Sequence, residues 1–146
     1  MKYAVIKKED VPRWLEYLKK KARLYAPKKK ENRFIYRPVK DVREVCLDYI
    51  PTILPPKKYY FPQKEKLLKF SIEPFKTSKA ISEFEEYILF GVHTCDIAGI
   101  QCMDVVFRDG PEDPNYLNRK DKMSIIGIEC LNYCDEYANC ASMATN

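Results

Sequence analysis

Histidine occurs once in the 146 residues, at His93. A single imidazole excludes histidine-rich zinc enzyme sites and every two-histidine metal motif. No apolar run approaches the roughly 18 residues of a membrane-spanning helix. The opening stretch, MKYAVIKKED, lacks the apolar core of an export signal. Glycine is scarce, with four residues (Gly91, Gly99, Gly110, Gly127), all in the second half. No internal repeat and no nucleic-acid-binding motif is found.

What is present is cysteine. Of six, five fall between Cys95 and Cys140. A secreted disulfide scaffold spreads its cysteines and carries an export signal, whereas a clustered set without one reads as a metal site. At 46% hydrophobic and 32% charged, the composition reads as one folded, soluble, cytoplasmic domain.

Charge divides the chain. Residues 1–80 hold 22 Lys and Arg against 9 Asp and Glu, and residues 81–146 hold 4 against 12. The modest net +5 therefore conceals a basic half and an acidic, cysteine-bearing half. The lysine runs at 19–21 and 28–30 read as solvated faces.

The pattern predicts an α/β fold: a small, mainly parallel sheet flanked by helices, with a proline-rich irregular segment. A short strand is expected over 2–7. A helix then opens at Asp10, with Pro12 in its first turn, and stops before Pro27. Residues 28–30 read as a charged turn and 32–39 (NRFIYRPV) as a strand; 43–49 is ambiguous. Residues 51–63 (PTILPPKKYYFPQ) hold four prolines, which excludes a regular element, yet their apolar and aromatic content favours packing onto the domain. Residues 65–70 read as a short helix or strand. The continuous apolar runs 87–92 (YILFGV) and 123–128 (MSIIGI) read as strands buried on both faces. Between them lie a helix over 96–107 and a short polar helix over 113–120.

Strand, helix and strand in that order form a unit whose strands run parallel. Each apolar strand is followed by cysteine: Cys95 after 87–92, Cys130 after 123–128. If the strands are neighbours, both thiols reach the carboxyl edge of the sheet, where open α/β sheets bind ligands. Cys134 and Cys140 follow within ten residues. Four soft thiolates at one point suit a [4Fe–4S] cluster or zinc. The C-x3-C-x5-C loop spacing is neither a zinc ribbon nor a bacterial ferredoxin run. Cys95, Cys130, Cys134 and Cys140 form the expected ligand set, with His93 in place of one cysteine as the variant.

His93 and Asp96 are the cofactor-binding candidates around that set: His93 as a donor behind the ligands, Asp96 at the helix start. Free amides at the helix N-terminus would stabilise a Cys95 thiolate. Cys46 and Cys102 read as core residues, Cys102 sharing an apolar face with Ala98 and Val105.

Segment 88–104 (ILFGVHTCDIAGIQCMD) resembles the FGV-H/R-P-CD-x-x-x-I block of the sulfhydrogenase β-subunit family, to which one of the subunits of anaerobic sulfite reductase also belongs. The likeness continues through 113–117 (DPNYL) and 125–130 (IIGIEC) to 134–146 (CDEYANCASMATN), similar to a C-D-E…C-x-S-M-G-T segment. Upstream, 51–63 resembles a P-x-x-x-P-x-K-x-x-F-P-Q block. Ala138 and Asn139 stand where many relatives carry a further cysteine, Thr94 where they carry proline, and Ala144 where they carry glycine.

The resemblance implies an electron-transfer subunit without bond-making chemistry of its own. It would relay electrons through an iron–sulfur cluster beside a flavin-containing and a hydrogenase- or reductase-type subunit. Separately, the basic first half would attract an acidic, ferredoxin-like partner. Relatives continue into a ferredoxin-like domain with two further [4Fe–4S] clusters, so 1–146 would correspond to the N-terminal α/β portion without that domain. A zinc-stabilised interaction module and an inactive fragment that binds no metal are the alternatives.

Overall fold

The computed structural model describes residues 3–74, 76–77 and 85–145. Helix α1 (Val11–Lys21) leads directly into strand β1 (Arg23–Lys30), which turns back as β2 (Arg33–Pro38). A long irregular stretch and a small antiparallel pair, β3 (Phe70–Ser71) and β4 (Lys76–Thr77), follow. Strand β5 (Tyr87–His93), helix α2 (Thr94–Asp109), helix α3 (Pro114–Asp121) and strand β6 (Met123–Ile128) complete the regular elements. The main sheet has the order β2-β1-β5-β6. Its β1–β5 and β5–β6 pairs are parallel and its β1–β2 pair is antiparallel. The expected small, mainly parallel α/β sheet is therefore present.

Two apolar clusters cover the two faces of the sheet. On one face, Leu15 of α1 packs with Leu24, Ala26, Ile88 and Phe90, and Trp14 meets Phe90 edge-on at 5.6 Å. On the other, Ile100 of α2 and Tyr116 of α3 pack with Leu89, Val92, Tyr36 and Tyr49. Alternation puts Ile88 and Phe90 on the first face and Leu89 on the second. Val92 joins Leu89, three residues away, because the register shifts between Phe90 and Val92. Gly91 makes that shift at φ +73°, a left-handed backbone that favours glycine. The carbonyl of Gly91 accepts from Tyr36 Oη at 2.6 Å and Tyr49 Oη at 2.5 Å.

Several expectations are corrected. Residues 3–7 form no strand and are exposed, and Lys2 lies outside the described residues. The first helix ends at Lys21, so Tyr25, Pro27 and Lys28–Lys30 belong to β1, not to a helix tail and turn. Pro27 is tolerated because the last β1–β5 pair is Tyr25 with Leu89. Beyond it the missing N–H breaks no ladder, and the Pro27 carbonyl accepts from Cys46 N at 2.9 Å. A 3-10 turn (Pro56–Tyr59) survives within the proline-rich segment. Residues 65–69 are irregular. Strand β6 is at the edge of the sheet and only half-buried.

The proline-rich segment does pack onto the domain, as its composition predicts. Pro56 and Tyr60 are buried. Buried Arg119 of α3 donates to the Tyr60 carbonyl and forms an ion pair with Glu65.

Candidate metal centre

Strands β5 and β6 are direct neighbours, with His93 opposite Ile128. Both chains therefore leave the sheet at the same carboxyl edge. The chain from β5 enters α2 at once, and Cys95 lies in its first turn. The chain from β6 continues through the irregular segment 129–145. Cys95, Cys130, Cys134 and Cys140 all line one cavity of about 380 Å³, with Thr94, Tyr133 and Thr145 among the other walls. The four expected thiols are thus brought together from two separate parts of the sequence. All four are free, Cys95 and Cys130 exposed, Cys134 and Cys140 half-buried. Among the described residues no group of three or more His, Cys, Asp or Glu side chains is spaced to hold a single metal ion.

Electrostatics at the site discourage bare thiolates. Desolvation by the cavity walls pushes the thiols of Cys95, Cys130 and Cys134 up, and each is pushed further by neighbouring cysteines and Asp96. The backbone amides of Cys95 and Asp96 act in the opposite direction on Cys95. The helix N-terminus therefore helps the Cys95 thiolate, as the sequence implies, but burial and the Asp96 carboxylate outweigh it. Among the described residues no lysine or arginine lines the cavity. Thiol sulfur is the donor type that a soft metal centre takes, and four thiolates held together would need a cation to offset their charge.

His93 and Asp96 are placed differently from the cysteines. His93 is 4% exposed and lines a second cavity of about 620 Å³, whose wall includes Cys130 and Cys134. Segment 129–134 is shared between the two cavities. The His93 ring stacks on Tyr49 at 4.1 Å and 13°, and burial lowers its pKa. Asp96 is half-buried and lines neither cavity. Desolvation raises its pKa, partly opposed by Lys57. Tyr49, which holds His93 in place, escapes sequence reading because it lies in the patternless stretch 43–49.

The other two cysteines divide. Cys46 is half-buried against the second cluster, in accord with a structural role. Cys102 is exposed. It shares the outward face of α2 with Val105 and Val106, which are 58% and 64% exposed. The core face consists instead of Ile97, Ile100, Met103 and Phe107.

Fold and cavity together define an open α/β domain with a thiol-lined site at the carboxyl edge of its parallel strands. Along its whole length the chain is similar to sulfhydrogenase 2 subunit beta of Pyrococcus furiosus, at 34% identity over 149 aligned positions. It is a homologue of that β-subunit, and the resemblance carried by its motifs is borne out. The chain spans 42% of the length of that relative. No family model matches the chain, and no solved structure matches it. By name the relative is one subunit of a hydrogenase. Among the described residues no helix is long and apolar enough to cross a membrane.

Proposed function

We propose that this chain is the α/β portion of an electron-relay subunit in a hydrogenase- or sulfite-reductase-type oxidoreductase. Cys95, Cys130, Cys134 and Cys140 would hold a [4Fe–4S] cluster. The observation that carries this reading is the convergence of four thiols on one cavity from the ends of two adjacent parallel strands. Similarity to a hydrogenase β-subunit supports the redox assignment.

A cluster and a zinc ion would both draw on the same four thiols, and the family likeness favours the cluster. A bound cluster would accept and release single electrons.

The chain's own residues have distinct tasks. Cys95 anchors the site to the first turn of α2, where the Cys95 and Asp96 amides donate toward its sulfur. Such donation would raise the reduction potential of a bound centre. Cys130, Cys134 and Cys140 close the site from the tail, and Tyr133 and Leu131 supply apolar wall. His93, its pKa lowered by burial and its ring held by Tyr49, lines the second cavity behind Cys130 and Cys134. Further subunits, including one that binds flavin, would take the electrons onward.

The test is anaerobic purification followed by iron, sulfide and zinc analysis. We expect brown protein with about four iron and four sulfide per chain, and loss of most of that iron in Cys130→Ser. Colourless protein with one zinc per chain would replace the relay with a zinc-stabilised interaction module. Cys130→Ser with unchanged stability and no metal in either form would mark an inactive fragment.

A further inference from the structure

The β1–β2 hairpin carries a surface that the thiol site does not use. Residues paired across the hairpin share a face. Ala26 pairs with Arg37, Lys28 with Ile35, and Lys30 with Arg33. Ala26 is fully buried in the α1-side cluster. Lys28, Lys30, Arg33 and Arg37 therefore continue that same face. Lys40 follows, and its carbonyl accepts from Lys19 Nζ at 2.8 Å.

Lys28, Lys29, Lys30, Arg37 and Lys40 line a surface hollow of about 400 Å³, in which Glu44 is the sole carboxylate. Glu44 is engaged by Lys28 at 2.5 Å. Among the described residues, Lys30, Arg33 and Arg37 have no carboxylate partner within ion-pair distance. A hairpin with this much uncompensated positive charge is complementary to an anionic surface.

Its position is informative. Because β1 and β5 run parallel, Lys28–Lys30 point toward the same carboxyl edge as Cys95 and Cys130. The segment around Val45 and Cys46 is held to β1 by the Lys28–Val45 bridge and the Cys46 N to Pro27 O bond, and it runs on into 47–50, which line the second cavity with His93, Cys130 and Cys134. At about 4.8 Å per strand spacing, the hairpin edge and the end of β5 are on the order of 10 Å apart. The cavity wall, by contrast, includes exposed Glu129 with Leu131 and Tyr133, which are 94% and 68% exposed, and exposed Asp135 and Glu136 directly follow Cys134 in the chain. An anionic partner would be repelled by those carboxylates and drawn to the hairpin, which fixes one orientation.

We propose that this hairpin face docks an acidic electron-carrier protein beside the thiol site. The choice of a redox partner rests on the relay reading above. The docking itself rests on charge and geometry. Nucleic acid fits the same sign of charge, but the hairpin face offers no exposed aromatic ring for stacking, since Tyr36 is buried and Phe34 is half-buried on the opposite face.

The test titrates the anaerobically purified chain with an oxidised, acidic [2Fe–2S] ferredoxin by calorimetry. A basic cytochrome c and a short RNA duplex serve as further probes. The ferredoxin should bind, with affinity falling on the order of tenfold from low to physiological salt. The triple variant K30E/R33E/R37E should weaken it by on the order of tenfold, with circular dichroism and iron content unchanged. Should the triple variant unfold, Arg33→Glu and Arg37→Glu alone, at exposed positions, carry the test. Unchanged ferredoxin affinity in the variants, equal affinity for cytochrome c, or tighter binding of RNA would each overturn the proposal. A chain without iron that still binds ferredoxin through the hairpin upholds the docking and overturns the relay. An iron-loaded chain that ignores ferredoxin does the reverse.

Discussion

At the scale of single residues, the backbone at Ala144 is informative. It lies at φ +53°, where a Cβ costs about 1–2 kcal/mol. The motif likeness has glycine at this position. Ala144→Gly should therefore stabilise the turn by about 1 kcal/mol, read as slower hydrogen exchange of the amides of 143–145. Faster exchange there would show that the left-handed turn is not strained. The paired tyrosines give a second prediction. Tyr36 and Tyr49 both donate to the carbonyl of Gly91 and touch each other at 2.9 Å. Tyr36→Phe and Tyr49→Phe should each cost about 1 kcal/mol. The double replacement should cost more than the sum, because the carbonyl keeps one donor in either single variant and none in the double. Strict additivity in a double-mutant cycle would mean that the two bonds are independent. Neither tyrosine could be assigned this task from the sequence, since the acceptor exists only because Gly91 shifts the ladder.

At the scale of elements, that shift is open to direct challenge. Gly91→Ala forces a side chain onto a backbone at φ +73° and should destabilise the domain by about 1–2 kcal/mol, read from thermal unfolding. Arg119 ties the proline-rich segment to α3 through Tyr60 and Glu65. Arg119→Ala leaves Glu65 unpaired in a half-buried place and should cost about 3 kcal/mol, with protease cleavage appearing first between 61 and 69. The elements differ in how legible they were. Strands β5 and β6 announce themselves as apolar runs, and the rule for parallel strands then delivers two thiols to one edge. Strand β1 does not, because Pro27 and three lysines occupy the part that outruns its parallel partner. Local composition there reflects the hairpin and solvent, not the ladder. Helix α2 misleads in another way. It is apolar on its core face and also at Cys102, Val105 and Val106, so periodicity alone cannot tell the two sides apart. That four thiols share one edge was legible, and His93 was named beside them; the stacking of Tyr49 on His93 and the two cavities were not, since they depend on a stretch with no pattern.

At the scale of the whole molecule, the core on the α2 side is built of tyrosines. Burial pushes Tyr60 up to about 12 and drives Tyr36, Tyr49, Tyr59, Tyr87 and Tyr116 higher still. A free phenol ionises near pH 10. Folded values above that mean that this stability is fully present below about pH 10 and is lost as pH rises through about 12. An alkaline titration followed by phenolate absorbance and circular dichroism should show the core tyrosines ionising together with unfolding. Ionisation of these rings in a protein that keeps its dichroism would contradict the packing described.

One further consequence follows from how the four thiols are carried. Cys95 belongs to the framework, at the head of a helix that rests on the sheet. The other three follow the last strand, and among the described residues the hydrogen bonds of 131–145 are all made within that stretch. Among the described residues no hydrogen bond fastens it to the body of the protein. A centre shared by the four sulfurs would therefore act as a clasp, joining a loose flap to a finished frame. Chelation should open the flap and leave the frame intact. In hydrogen exchange, the amides of 131–145 would quicken while those of β5 keep their protection.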